Sequence, residues 1–582
     1  MDFPDFPGLY ATPGAWQGSR ETRPYRYQIE RARTAFEPSA VFCIEGRPTV
    51  YFRKVARADA EREAEWQKHL WNLGTATMLV VEDPINTRVY SALAKPRPQP
   101  IRVDGVDEAH VLGDDRLVAP LKTAVFALEL QQFLLRVQTG QFYRAFPRSF
   151  RPEAAIDQYL LDQLTTARDR MLSVDDDSGA LDEKTVHAFL GRCLLACYLV
   201  ERGVIGQRQL AAVNMPPAEK LRDVLEQIGS DTKAIQALFR LFRLLDEDFN
   251  GSLFGSEFTG QPQLFTTDHI SILLQFLAGT DLKSGQTLLP GFDLYEFKYI
   301  PIELISAIYE RFVTGAEQRD TPEGNTSRQR ESGVYYTPPR LAELVVDIAT
   351  HDWDTLLGKR FLDPTCGSGV FLVLLFQRIA SEWRWRNPKA GNLTRARALR
   401  TILSENLCGV DMDGAACLIA CFSLYLAFLD QLEPNDIWDL KESLSPEEGK
   451  VLPPLHVRTV PAADTSCVLE ANFFDIDAEA LGRFDLVIGN PPWTGRNQEV
   501  DAAMRQWLFD AQRNPSLAEI SGKASELRQT LLPAKQSATA FCLEDTVARE
   551  RNRQYLSAAS VAHAVEQSVR QIPGCLVSTV LR

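Results

Sequence analysis

The run Phe484–Ile488 (FDLVI) is short and apolar, and Gly489 then leads into Asn490-Pro491-Pro492-Trp493. Two consecutive prolines directly after a strand stop sheet pairing and fix the backbone, a rigidity suited to gripping a planar group. The side-chain oxygen of Asn490 and the carbonyl of Pro491 can accept both hydrogens of an exocyclic amine. Held in this way, the nitrogen lone pair is drawn out of conjugation and toward an electrophilic methyl group. The Trp493 ring offers a face on which an extruded base can stack. The bland alternative is a Pro-Pro loop followed by a core tryptophan.

A second candidate lies in Arg360–Phe376 (RFLDPTCGSGVFLVLLF), where the strand-like Phe361 and Leu362 end in Asp363-Pro364. Gly367-Ser368-Gly369 then makes a tight turn into an apolar helix. Glycines at the carboxyl end of a parallel strand let backbone approach a nucleotide-like ligand closely. A dinucleotide fingerprint would place a third glycine at 372, where Leu372 stands. An aspartate at the strand tip fits the amino-acid end of a ligand, although a lone Gly-x-Gly turn is equally ordinary structure. A third candidate is Asp411, which closes the strand-like Leu407–Val410. An acid there fits a ribose hydroxyl pair, or else caps the following helix, a role open equally to Asp413. Between these elements, Arg378–Arg400 carries seven basic side chains and two tryptophans. It reads as a solvated helix face or as a phosphate-facing patch.

The elements that must position these residues fall into three textures. Residues 1–125 read as a small α/β module, with strand-like Val41–Ile44, Pro48–Phe52, Thr77–Val81 and Thr87–Ala92. A charged stretch between them, Ala58–Trp71, has the spacing of a surface helix. Residues 126–314 turn helical. Ala124–Leu135, Ala154–Met171, Thr185–Val200, Ala234–Leu245 and Ile302–Phe312 carry apolar side chains at three-to-four spacing. Residues 315–332 are a polar linker, and 333–582 alternate strands and helices as a doubly wound α/β domain does.

Composition restricts the function classes. Lys+Arg 63 against Asp+Glu 77 gives a net charge of −14 over 582 residues, which argues against a chain coated with nucleic-acid-binding charge but leaves room for a local basic groove. Ten cysteines without any Cys-x-x-Cys read as small buried hydrophobes, and no metal site is expected. The first residues lack a basic and apolar leader, and no apolar stretch reaches the length of a membrane span. A soluble, cytoplasmic chain is the expectation.

DPTCGSG, the acid at Asp411 and NPPW, in that order after Tyr336-Thr337-Pro338, resemble the motifs of N6-adenine DNA methyltransferases of restriction–modification and phage-defence systems. FNGSLF (Phe249–Phe254) and Tyr299–Phe312 are similar to the helical domain of large members of that family. The resemblance implies a Rossmann-like S-adenosylmethionine-dependent methyltransferase domain, preceded by the helical domain and the N-terminal module. It implies transfer of a methyl group from S-adenosyl-L-methionine to adenine N6 in double-stranded DNA. Tyr336 and Thr337 would line the cofactor, Asp363, Gly367 and Gly369 would hold its methionine end, Asp411 its ribose and Met412 its adenine. Asn472, after the third strand, stands where the family often has an aspartate facing the cofactor's amine. Asn490, Pro491, Pro492 and Trp493 would carry catalysis.

The stretch after Trp493 is short for what the family usually places there. Gly574–Leu581 is the expected fifth strand, with nothing left for a closing hairpin or a base-reading domain. Either base recognition lies on a separate specificity or restriction subunit, or the end is truncated or divergent; a C-terminally incomplete domain is the expectation. Other readings are methylation of a protein glutamine or an RNA amine, or a non-catalytic cofactor-binding subunit of a defence complex. No Glu-x-Lys or Asp-x-Lys precedes residue 126, which argues against an N-terminal metal-dependent nuclease.

Overall fold

The computed structural model describes most of residues 3–301 and 337–490, with 99–114 and 251–260 the longest omissions, plus a few residues between 304 and 312 and the short stretches 538–541 and 576–577. Two compact units emerge, one comprising residues 1–244 and 256–301, the other 245–255 and 302–582.

The first unit is built on a six-stranded sheet in simple chain order: β1 (Leu9–Tyr10), β2 (Ala40–Ile44), β3 (Arg47–Lys54), β4 (Met78–Glu82), β5 (Asn86–Ser91) and β6 (Leu117–Lys122). All neighbours are antiparallel except β3 and β4. A parallel pair needs a crossover, and a helix at Ala60–Leu73 supplies it. Side chains alternate across the sheet. Tyr51, Leu79, Val81 and Tyr90 face one core, which the helices Arg26–Phe36 (α1) and Ala60–Leu73 (α2) cover. Val50, Phe52, Met78, Val80 and Val89 face the other, under Thr123–Gln138 (α3). Four further helical expectations have counterparts: α3 itself, then Ile156–Leu172 (α4), Glu183–Glu201 (α5) and Asp231–Leu245 (α6). Thr267–Leu277 (α7) adds one more.

Helix α2 departs from the surface helix that its charges suggested. Glu63, Gln67, His69 and Asn72 are buried. Gln67 donates to the carbonyls of Ser91 (2.9 Å) and Ala94 (2.8 Å), and Asn72 to that of Leu294 (3.1 Å). Glu63 binds Arg88 through two hydrogen bonds (2.6 and 2.8 Å) and accepts a third from Tyr90 (2.6 Å), while Asp83 takes the remaining end of Arg88 at 2.6 Å. Polar side chains at these positions mark satisfied burial, not solvent.

The second unit is a parallel sheet. Its strands are β7 (Phe361–Asp363), β8 (Leu407–Asp411), β9 (His456–Val457), β10 (Cys467–Glu470), β11 (Leu486–Ile488), β12 (Ala538–Phe541) and β13 (Leu576–Val577), ordered β13-β12-β11-β7-β8-β10-β9. Every neighbouring pair is parallel. The chain starts at the centre, builds outward through β8, and then returns to β11 on the other side of β7. With the helices Val370–Arg386 (α9) and Gly414–Asp430 (α11) as crossovers, this is a doubly wound, Rossmann-like α/β architecture. Pro339–Thr350 (α8), Asn392–Glu405 (α10) and Pro434–Ser443 (α12) complete the helices used below. Around Asp246–Phe249 the unit receives a detached piece of chain. Asp248 pairs with Lys441, and Phe249 meets Trp438 edge-on, with ring centroids 5.9 Å apart.

The fifth position of the sheet belongs to Ala538–Phe541, which pairs with β11, and not to Gly574–Leu581. Within that expected range only Leu576–Val577 is a described strand, and it lies one place further out, on β12. Four small or apolar residues, ATAF, are too short a run to announce a strand by periodicity.

The eight described cysteines are free and buried, as small hydrophobes are. Among the described residues no single helix is long and apolar enough to cross a membrane.

The buried Arg88 cluster makes a direct stability test. Arg88→Met leaves Glu63 and Asp83 as uncompensated buried carboxylates and should destabilise the protein by about 3–5 kcal/mol, read by chemical denaturation. A loss below about 1 kcal/mol would mean that the cluster is solvated.

Candidate active site

In a parallel sheet whose order reverses, the loops leaving two adjacent strands diverge and open a crevice above their carboxyl ends. Here the reversal falls between β7 and β11, so the crevice is bordered by Asp363 on one side and by Gly489-Asn490 on the other. The Asp363 loop is strapped down by backbone: Cys366 N–H donates to the Val410 carbonyl of β8 (2.9 Å), and Gly369 N–H to the Cys366 carbonyl (2.8 Å). Gly369 starts α9 at φ 80°, where a Cβ would also lie 3.0 Å from that of Ala420 in α11. Its glycine identity therefore has a packing reason as well as a conformational one.

Asp363 is completely buried. Its Oδ1 accepts the Thr365 N–H at 3.1 Å, whereas Oδ2 has no hydrogen-bond partner among the described residues. Burial pushes its carboxyl up to about 8, with Asp411 adding repulsion. Gly489 passes so close that a Cβ on it would meet Asp363 Oδ1 at 2.5 Å. The end of β11 is thus shaped around this carboxyl group, although no sequence spacing links the two residues.

Asp411 ends β8 and organises two turns at once. Its Oδ2 accepts the Gly367 N–H and its Oδ1 the Asp413 N–H, both at 2.9 Å. Burial raises its carboxyl as well. The helix-cap role goes to Asp413, whose Oδ1 accepts the Ala415 N–H at 2.9 Å at the start of α11. Met412, between them, is exposed, and Asn472 is half-buried just beyond β10.

Glu470 is a rim residue that the sequence patterns did not single out. It pairs in register with Asp411 across β8 and β10. Its Oε2 receives His456 Nε2 at 3.0 Å and Arg458 Nε at 3.1 Å, and its carboxyl is lowered chiefly by the Arg458 hydrogen bond. The available signal is an acid at the end of a third apolar strand, two residues before Asn472.

On the opposite wall, Asn490 is half-buried, and its Nδ2 donates to Thr337 Oγ1 at 3.0 Å. Two motifs more than a hundred and fifty residues apart therefore meet at one hydrogen bond. Thr337 is buried and leads into α8, which is tied to α9 by the Arg378–Asp347 ion pair at 2.8 Å. Asp363, Gly367, Asp411, Thr337 and Asn490 consequently border one crevice. Tyr336, Pro491, Pro492 and Trp493 lie outside the described residues.

Within the basic stretch Arg378–Arg400, Arg384, Arg386, Lys389 and Arg397 are exposed, as a solvated face requires, while several of the arginines also pair within the unit. Besides Arg378, Arg386 pairs with Glu382 (2.7 Å), Arg395 with the buried Asp436 (2.6 Å) and Arg397 with Glu448 (2.9 Å). Arg400 donates to the carbonyls of Glu448 (2.6 Å) and Lys450 (3.1 Å).

Residues 303–427 match the N-6 DNA Methylase family, and residues 405–517 match the Eco57I restriction-modification methylase family. No curated protein is matched. Among solved structures, the type IIL restriction-modification enzyme MmeI in complex with DNA is similar at 18% identity and TM-score 0.36, over 64% of this chain and 48% of that one. A modification subunit of a type I restriction enzyme from Vibrio vulnificus YJ016 is similar at 16% identity and TM-score 0.34, over 66% and 69%. The type I methyltransferase subunit from Streptococcus thermophilus is similar at 15% and 0.30, over 58% and 64%. The chain thus spans about half the length of MmeI. Over residues 303–517 it carries the family signature of restriction–modification N-6 DNA methylases.

Proposed function

We propose that this protein transfers a methyl group from S-adenosyl-L-methionine to adenine N6 of double-stranded DNA, in the cytoplasm, as part of a restriction–modification or phage-defence system. The observation that carries the proposal is the crevice at the strand reversal, with a buried carboxyl of unmet hydrogen-bonding capacity on one wall and the Asn490 amide on the other. A specificity or restriction subunit fits as partner. Arg386, Arg395 and Arg397 of the basic stretch are paired with carboxylates within the unit.

The donors present fit the cofactor. Asp363 Oδ2 is an orphaned acceptor in a fully buried position, suited to a cationic ammonium such as that of the methionine end. Each Asp411 oxygen accepts one backbone N–H and retains a lone pair for a hydroxyl. Bound there, S-adenosyl-L-methionine supplies an electrophilic methyl group. The chain's own part is to hold the acceptor: the Asn490 side-chain oxygen and the Pro491 carbonyl receive the amine hydrogens and orient its lone pair, and Trp493 supports the extruded base.

Two variants test these assignments. Asn490→Ala removes one of the two acceptors, so methyl transfer should fall by about 10²–10³-fold while calorimetric affinity for S-adenosylhomocysteine is unchanged. Undiminished transfer of tritiated methyl to DNA would sink the role given to Asn490. Asp363→Asn should abolish cofactor binding yet leave the empty protein no less stable. The folded-state carboxyl sits near 8 against an ordinary value of 3.8, so between them the folded chain holds a proton that the unfolded chain has released. Wild-type stability from this group therefore declines as pH rises from about 4 to about 8. The melting-temperature advantage of Asp363→Asn should accordingly widen between pH 5 and pH 8, and a constant difference would contradict the buried, protonated carboxyl.

A further inference from the structure

Thr337 belongs to the segment that the family resemblance places against the cofactor. Its hydroxyl, however, lies on the side chain of Asn490, accepting from Nδ2 at 3.0 Å. A primary amide is almost symmetric in shape, and half a turn about its terminal torsion exchanges an acceptor for a pair of donors. Only the acceptor end suits an amine, because an NH₂ facing an NH₂ sets donors against donors. A group that accepts from the nitrogen end, as the Thr337 hydroxyl does here, therefore favours the useful orientation.

Thr337 is well placed to hold that orientation. It is buried, and two residues later α8 begins. Ala342, Val345 and Val346 of α8 are buried, and Asp347 is paired with Arg378 of α9. Arg378 also reaches the Glu343 carbonyl at 3.4 Å. Helix α9 itself begins at the glycine turn below Asp363. One helix pair therefore fixes the cofactor loop and, through Thr337, the amide on the far wall.

We propose that Thr337 is a positioning residue for Asn490, setting the rotamer in which the amide oxygen faces the target amine; this rests on the adenine-N6 proposal. The hydroxyl's contribution is to the transfer step and not to holding the cofactor.

The test compares Thr337→Val, which keeps shape and loses the hydroxyl, with Thr337→Ser, which keeps the hydroxyl. The full chain is used with tritiated S-adenosylmethionine and DNA, and S-adenosylhomocysteine affinity is measured by calorimetry. Thr337→Val should lower kcat about ten- to a hundredfold with KM for the cofactor and the calorimetric Kd within about twofold of wild type. Thr337→Ser should recover most of the rate. An unchanged kcat in Thr337→Val overturns the inference. A Kd weakened in proportion to the rate loss also overturns it, because Thr337 would then act as a cofactor ligand. If the wild-type chain transfers no methyl group to DNA, the adenine-N6 proposal fails and this inference falls with it. Transfer by the wild type that continues at an undiminished rate in Thr337→Val sinks the inference alone.

Discussion

A fully buried carboxyl with one oxygen unpartnered is expensive to keep, and the second unit is arranged around one. Asp363 stands at the tip of the central strand, at the point where the strand order reverses and the sheet cannot close over it. Its neighbours have yielded to it. Gly489 gives up a side chain so that β11 can pass, and Thr365 turns its N–H inward. Asp411 takes the Gly367 amide, which keeps the loop folded over the strand ends. At neutral pH the empty site is held by a proton, and a cation is the natural substitute for it.

The opposite wall depends on the same strand tip by a longer route. The glycine turn after Asp363 starts α9, α9 anchors α8 through Arg378, and α8 delivers Thr337 to Asn490. Both walls of the crevice are thereby mounted on one element pair. That economy explains why a small segment before the glycine loop is useful to a site formed by loops far downstream in the chain.

Much of this was legible beforehand, for identifiable reasons. Asp363, Asp411 and Asn490 each sit at or just after the end of a short apolar run, and a parallel sheet brings such ends together whatever lies between them. The family matches over 303–517 agree with the resemblance those motifs carried. What could not be read depends on partners distant in sequence. Glu63, Gln67 and Asn72 look like a surface helix until Arg88, Ser91, Ala94 and Leu294 arrive to satisfy them. The arginines of 378–400 look free until Asp436 and Glu448 pack against them. Ala538–Phe541 gives no strand signal at all, because pairing with β11, and not its own pattern, makes it a strand.

The strand order also carries a consequence for how the second unit folds. Phe361 and Leu362 find partners at Leu407 and Cys408 soon after they are made, but their other side is paired only with Leu486 and Val487. During synthesis the central strand of the sheet therefore carries an open edge for a long stretch of chain. Non-local parallel pairing of this kind is slow and leaves a surface prone to association with other chains. Helices α9 and α11, which pack against each other as soon as both exist, are the elements able to shield that half-built sheet until β11 emerges. The arrangement that opens the crevice thus also makes the nascent chain dependent on early helix docking.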